Sequence, residues 1–350
     1  MKILYIGDFS ENFDEGLKNI AKTMHNVMSK KHEVDMLNVK ELSLIKLWRI
    51  LRNNKKYDIA HYFTAPTFSS FVLLKLLKLL NKANKTVISA LHPKAEDYFK
   101  SPIKRRVVSS LLRVDTILYQ YNPKVYEGFA RRIFFFPNGV DVNRFSPIPP
   151  EKKLELRNEL GLPEDKFIVL HVGHLSKKRN IGVFEKIQKA SSDIQVVIVG
   201  STYLEKDIEL YSKLKGAGCI IFTGYVPQIE KLYQVADLYV FPVYWKNSIN
   251  IPLTVLEAMS TNLPVVSLTY PGLFVFKGVS GVYFVYNEHE LIETVLTIKE
   301  KLSKNILDVR TREAVKKWSL ENLATLLDEY YNKILMEGDD GHEEGKTPMH

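Results

Sequence analysis

Two stretches of the chain carry side chains suited to an anionic, hydroxyl-rich ligand. In the first, His174, Lys178 and Arg179 fall in the polar loop His174-Leu-Ser-Lys-Lys-Arg-Asn180, directly after an apolar run that ends in Gly173. Two cations beside a strand-to-helix turn can clamp a diphosphate, the guanidinium through paired N–H donors and the ammonium as a point charge. In the second, the loop Lys246-Asn-Ser-Ile-Asn250 runs on through Ile251, Pro252 and Leu253 to Glu257. Pro252 stands where a helix would begin, because its missing N–H costs nothing there. The free amides of that first turn attract an anion. A glutamate one or two turns further in can accept hydrogen bonds from a ribose, so the stretch is suited to a nucleotide. Ser248 and Asn250 offer further polar contacts for such a ligand. Two histidines, His92 and His61, stand at or near the ends of apolar runs in the first half, where imidazole can hydrogen-bond a hydroxyl-rich ligand or position an acceptor for it. No His, Cys or Asp cluster has metal-ligand spacing and no Asp-x-Asp motif occurs, so no catalytic metal is expected.

These residues need alternating strands and helices to position them. Lys2–Ile6, His32–Leu37, Tyr57–Tyr62, Lys85–Pro93, Thr116–Tyr119 and Arg132–Phe136 are short apolar runs rich in β-branched and aromatic residues. They read as buried strands of one parallel sheet. Asp165–Gly173, Ile194–Gly200, Cys219–Val226, Leu238–Val243, Val265–Ser267 and Val282–Val285 read as a second set. Helical spacing between them makes βαβ units, and hence an α/β protein with two domains. A helix opens at Glu15-Gly16, and the loop before it lacks a full Gly-x-Gly-x-x-Gly fingerprint. Three prolines in Pro147–Lys153 read as a linker. The expected division is residues 1–146 for the first domain and 147–164 for the linker and start of the second. Residues 165–311 then form the second domain, 312–336 a closing helix, and 337–350 a disordered acidic tail.

The chain has 350 residues, 45% hydrophobic and 25% charged, as in a soluble globular protein. No apolar run reaches the length of a membrane span, and Met-Lys-Ile-Leu-Tyr-Ile-Gly reads as a strand rather than a signal peptide. A single cysteine, Cys219, fits a reducing compartment. A cytoplasmic protein is expected. Charge is unevenly divided: residues 1–150 hold 25 Lys and Arg against 13 Asp and Glu, the remainder 24 against 27. Solvated lysine faces, an anionic membrane surface and nucleic acid are the three readings of a basic first half. Lys40–Lys56, with Trp48 and an apolar stripe among basic residues, suits a membrane–water interface or a helix packed on its sheet. Phe71–Leu80 reads as a core helix with snorkelling lysines, and Lys104–Arg113 as another basic amphipathic segment. Three such segments favour a membrane surface, and no RNA-binding or helix-turn-helix signature accompanies the charge.

The segment Glu257-Ala-Met259 with Asn262-Leu-Pro-Val-Val266 resembles the donor-binding segment of GT-B glycosyltransferases of family 4, the group 1 class. Pro137-Asn-Gly-Val-Asp141 and Phe222-Thr-Gly-Tyr-Val-Pro227 match further segments of that family. The resemblance implies two Rossmann-like parallel-sheet domains facing a cleft, with a C-terminal helix crossing back to the first. It implies that His174, Lys178 and Arg179 stand at the donor diphosphate, Gly224 and Tyr225 at the base, Glu257 at the ribose and His92 at the sugar. Gly7 and Gly16 stand loosely for the family's acceptor-side glycine pair. Two positions depart from the family: Ile249 replaces the first of its paired glutamates, and His174 replaces its arginine.

The expected activity is therefore transfer of a sugar from a nucleotide-diphosphate sugar, UDP- or GDP-linked, to a glycan or polyprenyl- or lipid-linked acceptor. The resemblance implies retention at the anomeric carbon, without a metal or other cofactor. The basic first half would hold the protein on the inner face of the plasma membrane. A non-catalytic nucleotide-sugar-binding subunit and an epimerase-like GT-B enzyme are the alternatives.

Overall fold

The computed structural model describes residues 1–9, 16–41, 52, 54–93, 97, 99–201 and 207–336. Most of the Lys40–Lys56 segment, including Trp48, and the acidic tail 337–350 lie outside them. The chain forms two compact units: Met1–Asn138 with Ile249–Ile251 and Leu320–His350, and Gly139–Ser248 with Pro252–Ser319.

In the first unit, strands β1 (Lys2–Gly7), β2 (Glu33–Asn38), β3 (Tyr57–Thr64), β4 (Ala83–Ala90), β5 (Val114–Tyr119) and β6 (Ala130–Phe135) form a sheet in the order β2-β1-β3-β4-β5-β6. Every pairing is parallel. Side chains alternate between its two faces, as strand geometry requires. Ile3, Tyr5, Ile59 and Phe63 pack with helices α1 (Gly16–Met28) and α11 (Leu320–Met336). Leu4, Ile6, Ala60 and Ile88 pack with α2 (Phe68–Leu79) and α3 (Pro102–Leu111). Thr67 caps α2, its hydroxyl accepting from the Ser70 amide while Ser70 returns the bond. Asp115 pins the sheet to α2: its buried carboxylate accepts from the Thr86 amide and hydroxyl and from the Lys78 ammonium at 2.6 Å.

His61 is not at a strand end. Tyr57–Thr64 is one continuous strand, so the imidazole sits in mid-strand, fully buried. Its Nδ1 lies 2.5 Å from the Tyr331 hydroxyl on α11 and its Nε2 2.8 Å from Ser89, while the ring stacks on Phe63. The expected acceptor-side role gives way to a packing role, because no face of the ring reaches solvent.

The second unit repeats the plan with β7 (Phe167–His174), β8 (Ile194–Ser201), β9 (Ile220–Thr223), β10 (Leu238–Phe241), β11 (Val265–Leu268) and β12 (Val282–Val285), in the order β12-β11-β10-β7-β8-β9. Helices α5 (Val183–Ala190), α6 (Ile208–Gly216), α7 (Glu230–Val235), α8 (Leu253–Ser260), α9 (Glu288–Ser303) and α10 (Thr311–Lys316) surround it. The stretch expected as a linker is helical from its third proline onward, forming α4 (Pro150–Glu159). Proline tolerates the first helical turn. Arg157, 5% exposed, then anchors the helix by donating to the carbonyls of Val235, Glu164 and Lys166 and to the Asp237 carboxylate. The expected closing helix is two helices. The chain turns at Lys317–Ser319, where Val140 donates to the Trp318 carbonyl, and resumes as α11.

Candidate functional site

At the carboxyl edge of the second sheet, β7 ends in Gly173 and His174, and a turn at Lys177–Arg179 leads toward α5. Ser176 opens that turn by accepting from the Lys178 amide. Asn180 closes it in the left-handed conformation, φ 59°, which asparagine tolerates better than most residues. Lys178 is exposed, while Arg179 is half-buried without a carboxylate partner among the described residues. Burial pushes the Arg179 guanidinium below its ordinary range, and the Tyr270 and Tyr239 hydroxyls oppose that shift. A half-buried cation that no carboxylate neutralises is costly, and it is suited to an incoming anion.

Gly173 is required beside it. A β-carbon there would lie 3.0 Å from His171 Nε2 and 3.7 Å from Arg179 Nη1. His171 is buried, its Nδ1 donating to the Val240 carbonyl at 2.9 Å, so Nε2 carries the lone pair. Burial pushes its pKa down to about 4, which keeps the ring neutral near pH 7.

The loop after β10 approaches the same turn, with the Asn247 side-chain amide donating to the Lys178 carbonyl at 2.9 Å. Ser248 is buried and hydrogen-bonded to the Tyr270 hydroxyl. Pro252 caps α8 in an extended conformation, and Leu253 is the first helical residue. Glu257 lies on the second turn, where Tyr233 donates to its Oε2 at 2.7 Å. Burial raises the pKa of its carboxyl, offset in part by that hydrogen bond and by Arg144. Tyr239, packed parallel to Tyr233 at 5.9 Å, feels both Glu257 and Arg179. The edge thus joins an unneutralised guanidinium, a helix N-terminus and a carboxylate held by a tyrosine. Gly224 follows β9 with φ 88°, a conformation that favours glycine, and Tyr225 beside it is exposed.

In the first unit, Gly7 ends β1 against the Phe63 carbonyl, where a β-carbon would sit at 3.4 Å. Gly16 is the first residue of α1. Half-buried His92 follows β4. Beside it, the Asn250 amide donates to the Leu91 carbonyl at 2.9 Å and its side-chain nitrogen to Ala90 at 3.0 Å. Asn138 donates to the Ile251 carbonyl at 2.6 Å and accepts from Gln120 at 2.7 Å. The backbone N–H of Asn250 and one hydrogen of its Nδ2 are therefore engaged by backbone, leaving the second Nδ2 hydrogen and the buried Oδ1.

The structure brings Gly173, His174, Lys178, Arg179 and Ser248 to one edge of the second unit, which also carries Pro252, Leu253 and Glu257. It places Asn250 and Ile251 with His92 in the first. Tyr233, Tyr239, Tyr270, Gln120 and Asn138 escape sequence reasoning. A tyrosine in an apolar run looks like core, and Asn138 in Pro-Asn-Gly looks like a turn. Among the described residues, no group of three or more His, Cys, Asp or Glu side chains could hold a metal ion.

Residues 152–318 match the family described as glycosyl transferases group 1. Alpha-galactosylglucosyldiacylglycerol synthase of Streptococcus pneumoniae is 29% identical over 181 residues, 48% of this chain and 47% of that protein. Alpha-monoglucosyldiacylglycerol synthase of Acholeplasma laidlawii is 25% identical over 226 residues, 58% of this chain and 55% of that one. The chain spans about half the length of these curated relatives. Among solved structures, Anabaena Alr3699/HepE in complex with UDP-glucose superposes with a TM-score of 0.73 at 16% identity, covering 95% of this chain and 100% of that one. Residues 152–318 are thus similar to group 1 glycosyltransferases, and the two parallel six-stranded sheets give the chain the GT-B fold.

Proposed function

We propose that the protein moves a sugar from a nucleoside-diphosphate sugar, UDP- or GDP-linked, to a lipid-linked or glycan acceptor. The observation that carries this reading is Arg179, a half-buried guanidinium that no carboxylate among the described residues meets, on the same sheet edge as the α8 N-terminus and Glu257. A diphosphate would supply the missing negative charge. Arg179, Lys178 and the first amides of α8 then stabilise the charge that grows on it as the glycosidic bond breaks. The Glu257 carboxylate accepts from the ribose hydroxyls, with Tyr233 holding one of its oxygens in place. Gly224 and Tyr225 flank the base, and His92 hydrogen-bonds the sugar or positions the acceptor. Departure of the leaving group depends on these side chains rather than on a metal ion, and the anomeric configuration is retained.

The two diacylglycerol glycosyltransferases among the relatives support a lipid acceptor, as does the excess of Lys and Arg in the first 150 residues. No described helix is long and apolar enough to cross a membrane, so the acceptor would be met at a membrane surface. A second reading, a nucleotide-sugar-binding subunit without transfer activity, is favoured by Ile249 alone, which stands where the family has its first glutamate.

A thermal-shift panel of UDP, GDP, ADP and CDP on the wild type and Glu257→Ala tests the donor site. One diphosphate should raise the wild-type melting temperature and leave the variant nearly unmoved. A folded wild type indifferent to all four overturns the reading. Turnover of that donor with a diacylglycerol-type acceptor separates transfer from binding alone.

A further inference from the structure

We propose that the outer face of α2 and α3 in the first unit is the surface by which the protein docks on an anionic lipid bilayer. α2 carries two apolar stripes. Phe71, Leu74 and Leu77 are fully buried against the sheet, whereas Phe68, Val72 and Leu79 point away from it. Phe68, Val72 and Leu79 are four and seven residues apart, within one narrow sector of the helix. Leu79 is 71% exposed. A helix apolar on both sides belongs in a core or against an apolar partner.

α3 continues the surface. Ile103 is 76% and Leu111 64% exposed, while Val108 faces inward. The two helices are tied together from below. Phe71, Phe99 and Phe129 form a ring cluster with centroids 4.7 to 5.9 Å apart, and Arg105 covers Phe129 at 4.8 Å.

Charge selects the occupant. Residues 65–113 hold ten Lys and Arg against two acids, Glu96 and Asp97. Lys104 and Arg106 beside Ile103 are exposed and have no carboxylate partner among the described residues. Apolar side chains that enter the headgroup boundary, ringed by cations that meet anionic headgroups, make an interfacial surface. At 12 and 10 residues the helices are too short to span a bilayer core of about 30 Å, so they lie along it. The sequence alone reads α2 as a core helix; its outward stripe emerges only with the exposures. The proposal rests on the lipid-acceptor reading for its purpose, not for its test.

The test is sedimentation of the full chain with vesicles of phosphatidylcholine alone or with about one-third phosphatidylglycerol, at low and high salt. The wild type should bind the anionic vesicles and be released by salt. Two variants with substitutions only at exposed positions, Leu79→Gln/Ile103→Gln/Leu111→Gln and Lys104→Glu/Arg106→Glu, should each partition about tenfold or more weakly. Both should keep the wild-type melting temperature and its nucleotide shift. Wild-type indifference to anionic vesicles, or undiminished binding by both variants, overturns the proposal. So does a wild-type dimer that the triple variant converts to monomer, since the face would then be a protein interface. Loss of vesicle binding with an intact nucleotide shift condemns this surface and not the transferase reading. A missing nucleotide shift with intact vesicle binding does the reverse.

Discussion

Arg179 offers a test in which function and stability move in opposite directions. Its guanidinium is half-buried on the sheet edge, its charged form is disfavoured by burial, and no carboxylate among the described residues answers it. Arg179→Met keeps the unbranched stem and removes the charge. Fully burying an ion costs several kcal/mol, so a half-buried one relieved of its charge should return about 1 kcal/mol to the folded protein. For a unit of this size that raises the melting temperature by about 2–4 °C. Nucleotide binding should move the other way. Charge-assisted hydrogen bonds contribute about 1.5–3 kcal/mol, so the dissociation constant should rise roughly ten- to a hundredfold. At a nucleotide concentration about one hundred times the wild-type constant, the wild type gains about 2.7 kcal/mol. A variant weakened a hundredfold gains only about 0.4 kcal/mol under the same conditions. Scanning calorimetry with and without the diphosphate reads both quantities on one sample. A variant less stable than the wild type that still responds fully to nucleotide would show that Arg179 is a structural cation, and the anion-site argument would fail.

Gly173→Ala should weaken nucleotide binding by tenfold or more with a smaller effect on melting, because its β-carbon enters the space between His171 Nε2 and Arg179 at 3.0 and 3.7 Å; titration calorimetry reads the change. Asn138→Leu should cost about 2–3 kcal/mol in urea unfolding, since it strands both the Ile251 carbonyl and the Gln120 amide in a buried setting. Stability should also fall with acid. His61 and His171 have folded pKa values near 3 and about 4 against about 6.5 when unfolded, so only the unfolded chain takes up their protons between those limits. Their contribution is complete above pH 6.5 and declines by up to about 1.4 kcal/mol per histidine per pH unit as pH falls toward 4. Urea midpoints at pH 7, 6 and 5 measure it, and His61→Gln should roughly halve the slope.

Strand periodicity made the architecture legible. All twelve strands among the described residues coincide with apolar, β-branched runs, because parallel strands buried on both faces need such runs. Helix α4 was hidden because prolines announce a turn as readily as a first helical turn. What stabilises it, Arg157 reaching three carbonyls and Asp237, is invisible in sequence. α6 is hard to read from sequence for a different reason, since Ile208–Gly216 has only a modest apolar stripe between polar residues. Lys178, Arg179 and Glu257 were legible as chemistry because charge beside a strand-to-helix turn is conspicuous. What distinguishes the two cations is not: burial separates Arg179 from exposed Lys178, and the groups that act on its charge, Tyr239 and Tyr270, are far from it in sequence.

The same limit explains His61. A histidine near the end of an apolar run is equally consistent with a ligand contact and a packed core, and the decision rests on Tyr331, 270 positions later. Asn250 shows the reverse case. Its polarity and loop position suggested a sugar contact, yet its amide and side-chain nitrogen are committed to Leu91 and Ala90. Loss of the family's first glutamate at Ile249 therefore occurs in a segment whose neighbouring polar groups already serve to hold backbone. A sugar contact there would use the second Nδ2 hydrogen of Asn250 or its Oδ1. Discrimination among sugars at this position should then depend on the hydroxyl that pairs with Asn250. Donor sugars differing at that hydroxyl should separate in kcat/KM more than in nucleotide affinity, which the proposed function assigns to Arg179 and Glu257.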